Sequence, residues 1–291
     1  MTSIQWLGLA LCLLAVAAAG LAAHGSRRWA DATQALRRRL DTGRIDATGR
    51  PGSSARYDPR ELEGLPAPVQ RYFRAVLTEG QPLVTAVDVE HVGTFNLSAT
   101  GAQWKAFTSQ QKVTTRRPGF LWDARISMLP GVPVRVRDAY VSGEGILHAA
   151  VLGLFEVADL HGGGELARGE LMRFFAEAAW YPTALLPSQG VHWEAVDDRS
   201  ANATLVDGPL RLTLLFRFDE SALITSVRCA ARGRMVGKET VMVPWEGRWS
   251  DYQARDGMTV PLAGEAAWLL PEGRKPYWRG TIRSLVYEVS P

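Results

Sequence analysis

From Leu83 to Val289 apolar and polar residues alternate with a period of two, the pattern of strands that bury one face. Val87, Val89, His91, Gly93, Phe95 and Leu97 share a face, opposed by Asp88, Glu90, Thr94 and Asn96. Lys105 to Arg116 is a more polar strand carrying Phe107 and Val113. Phe120, Trp122, Ala124, Ile126 and Met128 alternate with Asp123, Arg125 and Ser127. A turn at Pro130-Gly131 leads into Val132, Val134 and Val136, and Ile146 to Val157 reads as one more strand. Asn202 to Val206, Asp207-Gly208 and the run Leu210 to Phe218 read as a hairpin, because Asp-Gly between alternating runs favours a tight turn. Leu223 to Arg232, Lys238 to Gln253, Met258 to Leu270 and Tyr277 to Val289 follow as strands. About ten strands joined by short turns predict an up-and-down antiparallel sheet, large enough to curl.

Two stretches break the period. Leu65 to Leu77 places Val69, Tyr72, Phe73, Val76 and Leu77 on one helical face, with Pro66 in a favourable first-turn position. Gly164 to Asp198 contains a second short helix, with Leu171, Phe174, Phe175 and Ala178 on the apolar side and Glu170, Arg173 and Glu177 on the polar side. Pro182 ends it, and a strand around Val191, Trp193 and Ala195 follows. Helices this short are not stable alone in water, so both must lie on the sheet. The expected fold is mainly β (α+β): a large curved antiparallel half-barrel covered by short helices.

The N-terminus adds a different element. Ile4 to Ala23 is uncharged and long enough to cross a hydrocarbon core of roughly 30 Å. A cleaved signal peptide is the rival reading, but no basic residue precedes the run and it exceeds the usual signal length. We read it as a single-pass anchor in a bacterial inner membrane. Arg27, Arg28 and Arg37 to Arg39 all follow the run, which by the positive-inside tendency favours a cytoplasmic body, whereas a half-barrel of this kind is more often found outside the cytoplasm; the sequence leaves the side of the membrane open. Trp29, Ala32, Leu36 and Leu40 form an apolar stripe opposite the arginines, a juxtamembrane helix whose basic face is placed to touch headgroups. Thr42 to Ala55 reads as a linker. The expected organisation is therefore an anchor over 1–25, a juxtamembrane helix and linker over 26–60, and a β half-barrel over 61–291 with helices near 66–78 and 165–180.

Composition refines this picture slightly. Ten tryptophans are many for 291 residues, and most fall in or beside the strands. The net charge of +3 is spread along the body, which argues against a nucleic-acid partner. Cys12 and Cys229 leave no disulfide within the body, and Cys229 reads as a buried thiol.

LPAPVQRYFRAVL (65–77), RPGFLWDARISMLPGVPVRVRDAY (117–140) and GELARGELMRFFAEAAWYPTALLPSQGVHWEAVDD (164–198) together resemble the DUF6544 family of bacterial proteins. The resemblance spans nearly the whole body and implies no catalytic residue. The architecture is similar to the open half-barrel of the LolA and LolB lipoprotein carriers, in which a curved sheet with helices at its mouth holds acyl chains.

Candidate chemistry is sparse. The five histidines form no metal-ligand spacing, and no phosphate-binding or nucleophile motif is present. No metal or cofactor is implied. The expected function is a binding protein for a lipid-like ligand, lined by Trp122, Ile126, Phe174, Phe175, Trp180, Tyr181, Trp193, Phe216 and Trp245. The alternatives are a hydrolase using Asp138, Glu144, Asp159, His161, His192 or Glu194, and an envelope protein that docks a partner at a sheet edge.

Overall fold

The computed structural model describes residues 2–46, 56–98, 101–129, 131–237 and 239–290. The outer part of the expected linker, Pro130 of the expected turn and Lys238 at a strand start lie outside the described residues. Helix α1 spans Ser3–Asp46, α2 spans Ala67–Val76 and α3 spans Gly164–Ala176. The first strands are β1 (Val84–Asn96), β2 (Trp104–Thr114), β3 (Gly119–Leu129), β4 (Val132–Val141), β5 (Glu144–Val151) and β6 (Phe155–Gly162). After α3 come β7 (His192–Asp197), β8 (Ser200–Asp207), β9 (Leu210–Phe218), β10 (Ile224–Val236), β11 (Glu239–Arg255), β12 (Met258–Leu270) and β13 (Gly273–Val289).

All thirteen strands form a single antiparallel sheet in the order β6-β5-β4-β3-β2-β1-β13-β12-β11-β10-β9-β8-β7. The chain starts in the middle of the sheet at β1 and walks outward by hairpins to the β6 edge. It then crosses to the opposite edge through α3, and walks back to pair β13 with β1, with Val87 opposite Tyr287. Adjacent strands rotate by about 20–25° each, so a sheet this wide must coil. The coiling is visible in one bond: Tyr140 at the end of β4 donates to Asp207 at the end of β8 over 2.6 Å, although the two strands lie far apart in sheet order.

The count exceeds the ten or so strands expected. Ile146 to Val157 is not one strand but parts of β5 and β6, separated by a turn in which Leu152 and Gly153 both have positive φ. Residues 158–162, beyond the expected strand end at Val157, also belong to β6.

The inner face holds the core. Val69, Tyr72, Phe73, Val76 and Leu77 of the α2 region are all buried in it, as the spacing requires. After α3 the chain continues through short 3-10 turns to Gln189. That crossover is pinned by side chain to backbone bonds: Tyr181 donates to the Phe174 carbonyl (2.6 Å), Trp193 to Leu185 (3.0 Å) and Tyr287 to Trp180 (2.6 Å). Each satisfies a buried carbonyl where regular structure is interrupted.

Helix α1 runs unbroken across residue 25, where the sequence placed a boundary between anchor and juxtamembrane helix. Its first half is the one helix among the described residues long and apolar enough to cross a membrane, and it is fully exposed. Its second half lies on the outer face of β2, β3 and β4. Trp29 and Leu40 are buried there, and Leu36 and Leu40 pack on Leu121, Ala139 and Val141. The basic side is partly engaged by the sheet: Arg39 pairs with Glu144 at 2.7 Å and Arg44 with Glu288 at 2.5 Å.

Candidate functional site

A cavity of about 1080 Å³ opens between α3 and the inner face of the sheet. Its walls are aromatic: Phe95, Trp104, Trp245, Trp249, Trp268, Tyr277 and Trp278 line it. Two short sequence repeats build this wall. In Trp245-Glu246-Gly247 on β11 and Trp278-Arg279-Gly280 on β13, tryptophan and glycine two apart share a face. The indole then folds back over the glycine. A Cβ on Gly247 would stand 2.9 Å from the Trp245 ring, and one on Gly280 would overlap the Trp278 ring. Across the strands, Gly264 sits opposite Trp249 and gives its ring the same room, with a Cβ there only 2.6 Å away. Glycine thus lets large rings lie flat against the sheet and leaves the space above them open.

Further anchoring comes from the phenol of Tyr277, which accepts from Trp245 Nε1 (2.9 Å) and from Arg232 (3.3 Å). Its ring stacks on Trp268 with centroids 5.5 Å apart. The Arg232 guanidinium lies 5.4 Å from the Trp245 ring and 5.9 Å from the Trp268 ring.

The floor is ionic, and it comes from the helix face that sequence spacing assigned to solvent. Glu170, Arg173 and Glu177 border the cavity, and Glu170 and Glu177 are buried. Arg173 donates to Glu177 (2.8 Å), to Asp138 of β4 (2.8 Å) and to Gln111 of β2 (3.2 Å). Gln111 in turn donates to Glu177 over 2.6 Å. The guanidinium also sits 4.8 Å from the Trp122 ring. Burial works to lower the Arg173 pKa, but Glu177, Asp138 and Glu170 outweigh it and hold the group charged. Burial followed by the neighbouring Asp138 pushes the Glu170 carboxyl up to about 8. Burial also raises Asp138, against the pull of Arg173. Glu170 Oε2 and Asp138 Oδ1 are buried and accept no hydrogen bond from the protein. A neutral Glu170 avoids the large cost of an unpaired buried charge.

Of the residues expected to line a cavity, Trp122 and Trp245 lie on its wall. Ile126, Phe174, Phe175, Trp180, Tyr181, Trp193 and Phe216 are instead packed in the core. The apolar side of α3 is held by the sheet: Phe175 meets Phe216 edge-on at 5.7 Å, and Trp193 meets the same ring at 5.2 Å. Trp180 is wedged between His91 and Trp249, each 4.9 Å away. The hydrolase candidates do not converge. Glu144 is tied to Arg39 on the outer face. His192 and Glu194 lie 3.8 Å apart on β7, both largely exposed. Asp159 and His161 lie 3.9 Å apart on β6, also exposed. Only His161 and Asp138 border the cavity, His161 as an exposed side chain and Asp138 bound to Arg173. Among the described residues no group of three or more metal-ligating side chains is present.

Residues 63–287 match a family model described as a family of unknown function, DUF6920. The chain belongs to that family. This corrects the DUF6544 resemblance: all three segments that carried it fall inside the DUF6920 match. They are the α2 helix, the β3–β4 hairpin and the α3 crossover, and the last two supply Trp122, Asp138, Glu170, Arg173 and Glu177 to the cavity. A comparison with curated proteins returns no match. Among solved structures, the chain is similar to a LolA superfamily protein from Nitrosomonas europaea, at 11% identity and a TM-score of 0.39, over 77% of this chain and 93% of that one. It is also similar to a beta-barrel-like protein of the domain of unknown function DUF1849 from Brucella abortus, at 10% identity and a TM-score of 0.23, over 71% of this chain and 99% of that one. Likenesses this weak carry no functional argument.

Proposed function

We propose that this chain is a membrane-anchored binding protein that holds a lipid-like ligand within the curved sheet. The cavity carries the reading. Its volume of about 1080 Å³ is at the upper end of the range typical of small-molecule sites. Its wall is predominantly aromatic, with Trp104, Trp245, Trp249, Trp268, Tyr277 and Trp278 bordering the space. Removing apolar surface from water there is worth roughly 25 cal/mol per Å², enough for useful affinity from a single hydrocarbon chain. The unused acceptors of Asp138 and Glu170 on the floor suit a ligand that also carries a hydroxyl or amide. The exposed apolar half of α1 supports residence at a membrane, where such ligands are found.

Native mass spectrometry of the full chain, released from detergent, tests this directly. A retained amphiphile is expected. Gly169 gives the matching control, because it borders the cavity from α3 and a Cβ there meets nothing closer than 3.8 Å. Gly169→Phe should keep the fold and lose the adduct. Bare protein in both forms, with added fatty acid or lysolipid failing to bind, would reject the reading.

A further inference from the structure

The way α1 is docked fixes more than attachment. Gly25 lies against the β5–β6 turn, where a Cβ would overlap the Leu152 carbonyl and stand 2.5 Å from Leu154 Cγ. Arg28 reaches Glu156 at 3.6 Å, just beyond that turn. Trp29 reaches Asp123 in mid-β3. At the far end, a Cβ on Gly43 would stand 3.4 Å from Ser142, in the β4–β5 turn. The helix therefore runs alongside β4 in the same direction, and Ile4–Ala23 projects beyond the β5–β6 turn. The β3–β4 turn is at that same end, since Leu152 donates to the Pro133 carbonyl over 3.0 Å.

Large exposed apolar side chains flank those two turns, at the end of β3 and the start of β6. Leu129 is 66% exposed and Phe155 64% exposed. The apolar run ends at Ala23, and Gly25 is two residues on, about 3 Å along the helix. The headgroup layer is roughly 5–8 Å thick on each side of the hydrocarbon. A turn that touches Gly25 lies inside that layer.

We propose that the β3–β4 and β5–β6 turns are seated in the headgroup region of the bilayer that α1 crosses, with Leu129 and Phe155 inserted. The body is held in one orientation, with β4 leading away from the membrane. The partner is a lipid surface, and Arg27 at the same level adds attraction to anionic headgroups, while the Arg28 charge is shared with Glu156. This rests on the anchor reading of α1 but not on the cavity holding a ligand.

The test uses the full chain in phosphatidylcholine–phosphatidylglycerol vesicles, with Cys12 and Cys229 replaced by alanine. Single fluorophores are placed by Leu129→Cys, Phe155→Cys and, as the distal control, Ser142→Cys, and are quenched by lipids bearing a nitroxide at the headgroup. Quenching at 129 and 155 several-fold above that at 142 is the expected result. Gly25→Leu, which pries the helix from the turn, should bring all three to the level of 142 while α1 stays inserted. Equal quenching at the three sites with α1 inserted would overturn the proposed seating alone. Release of the chain from vesicles by alkaline carbonate would overturn the anchor reading and the seating with it. Neither result bears on the adduct measured by mass spectrometry.

Discussion

Trp29 of the N-terminal helix donates its indole N–H to Asp123 Oδ1 of β3 over 2.9 Å. The same carboxylate accepts from Thr33 at 3.2 Å through its other oxygen. Arg137 stacks its guanidinium 3.9 Å over the Trp29 ring, and His148 stacks on the ring at 5.0 Å. One tryptophan thus joins the helix to three strands, β3, β4 and β5.

Asp123→Ala leaves the Trp29 N–H buried without an acceptor, which costs about 1–3 kcal/mol. The loss should be local. Amide exchange across residues 29–44 should accelerate, while β7 to β13 keep their protection. Unchanged exchange in the helix would mean that the contact does not hold it to the sheet.

The buried floor predicts an unusual pH dependence. With its pKa raised to about 8 from the ordinary 4.5, Glu170 binds a proton in the folded chain across a window in which the unfolded chain has lost it. Stability should therefore fall as pH rises from about 4.5 to 8, by up to about 1.4 kcal/mol per pH unit. Glu170→Gln keeps the shape without the charge. It should flatten the slope and make the protein more stable than the parent at pH 8. Denaturant midpoints measured from pH 5 to 8 check this, and parallel curves for the two proteins would refute it.

The glycine beneath an indole is equally open to test. Gly280→Ala puts a methyl group where the Trp278 ring lies. The ring must swing toward the cavity, at a cost of about 1–3 kcal/mol for overpacking. A lowered melting temperature together with a shifted tryptophan emission maximum is expected. A neutral substitution would mean that the ring does not lie on the glycine.

Period-two alternation was enough to read the sheet and its inner face, because a strand repeats its exposure every second residue and one face had to be buried. The Leu152-Gly153 turn lacks the Asp-Gly or Asn-Gly signal found at Asp207-Gly208, so the sequence reads β5 and β6 as one strand. The wall of the cavity was only half legible. Trp122 and Trp245 are among the expected lining residues, whereas Tyr277, Trp268 and Trp278 are not, and the repeated Trp-x-Gly spacing is the sequence signal that points to this wall. The floor was hidden by the amphipathic rule itself. That rule sends Glu170, Arg173 and Glu177 to water, but their carboxylate and amide partners Asp138 and Gln111 arrive from strands far away in the chain. The docking of α1 was hidden for the same reason, as Asp123 lies 94 residues from Trp29.

The central claim is that the space above those tryptophans admits a hydrocarbon chain. Brominated fatty acid added to the detergent-solubilised full chain measures it, since bromine quenches an indole only on contact. Saturable quenching of the intrinsic emission is predicted for the parent and should be absent in Gly169→Phe. Weak quenching that rises linearly with concentration and is identical in both proteins would contradict it.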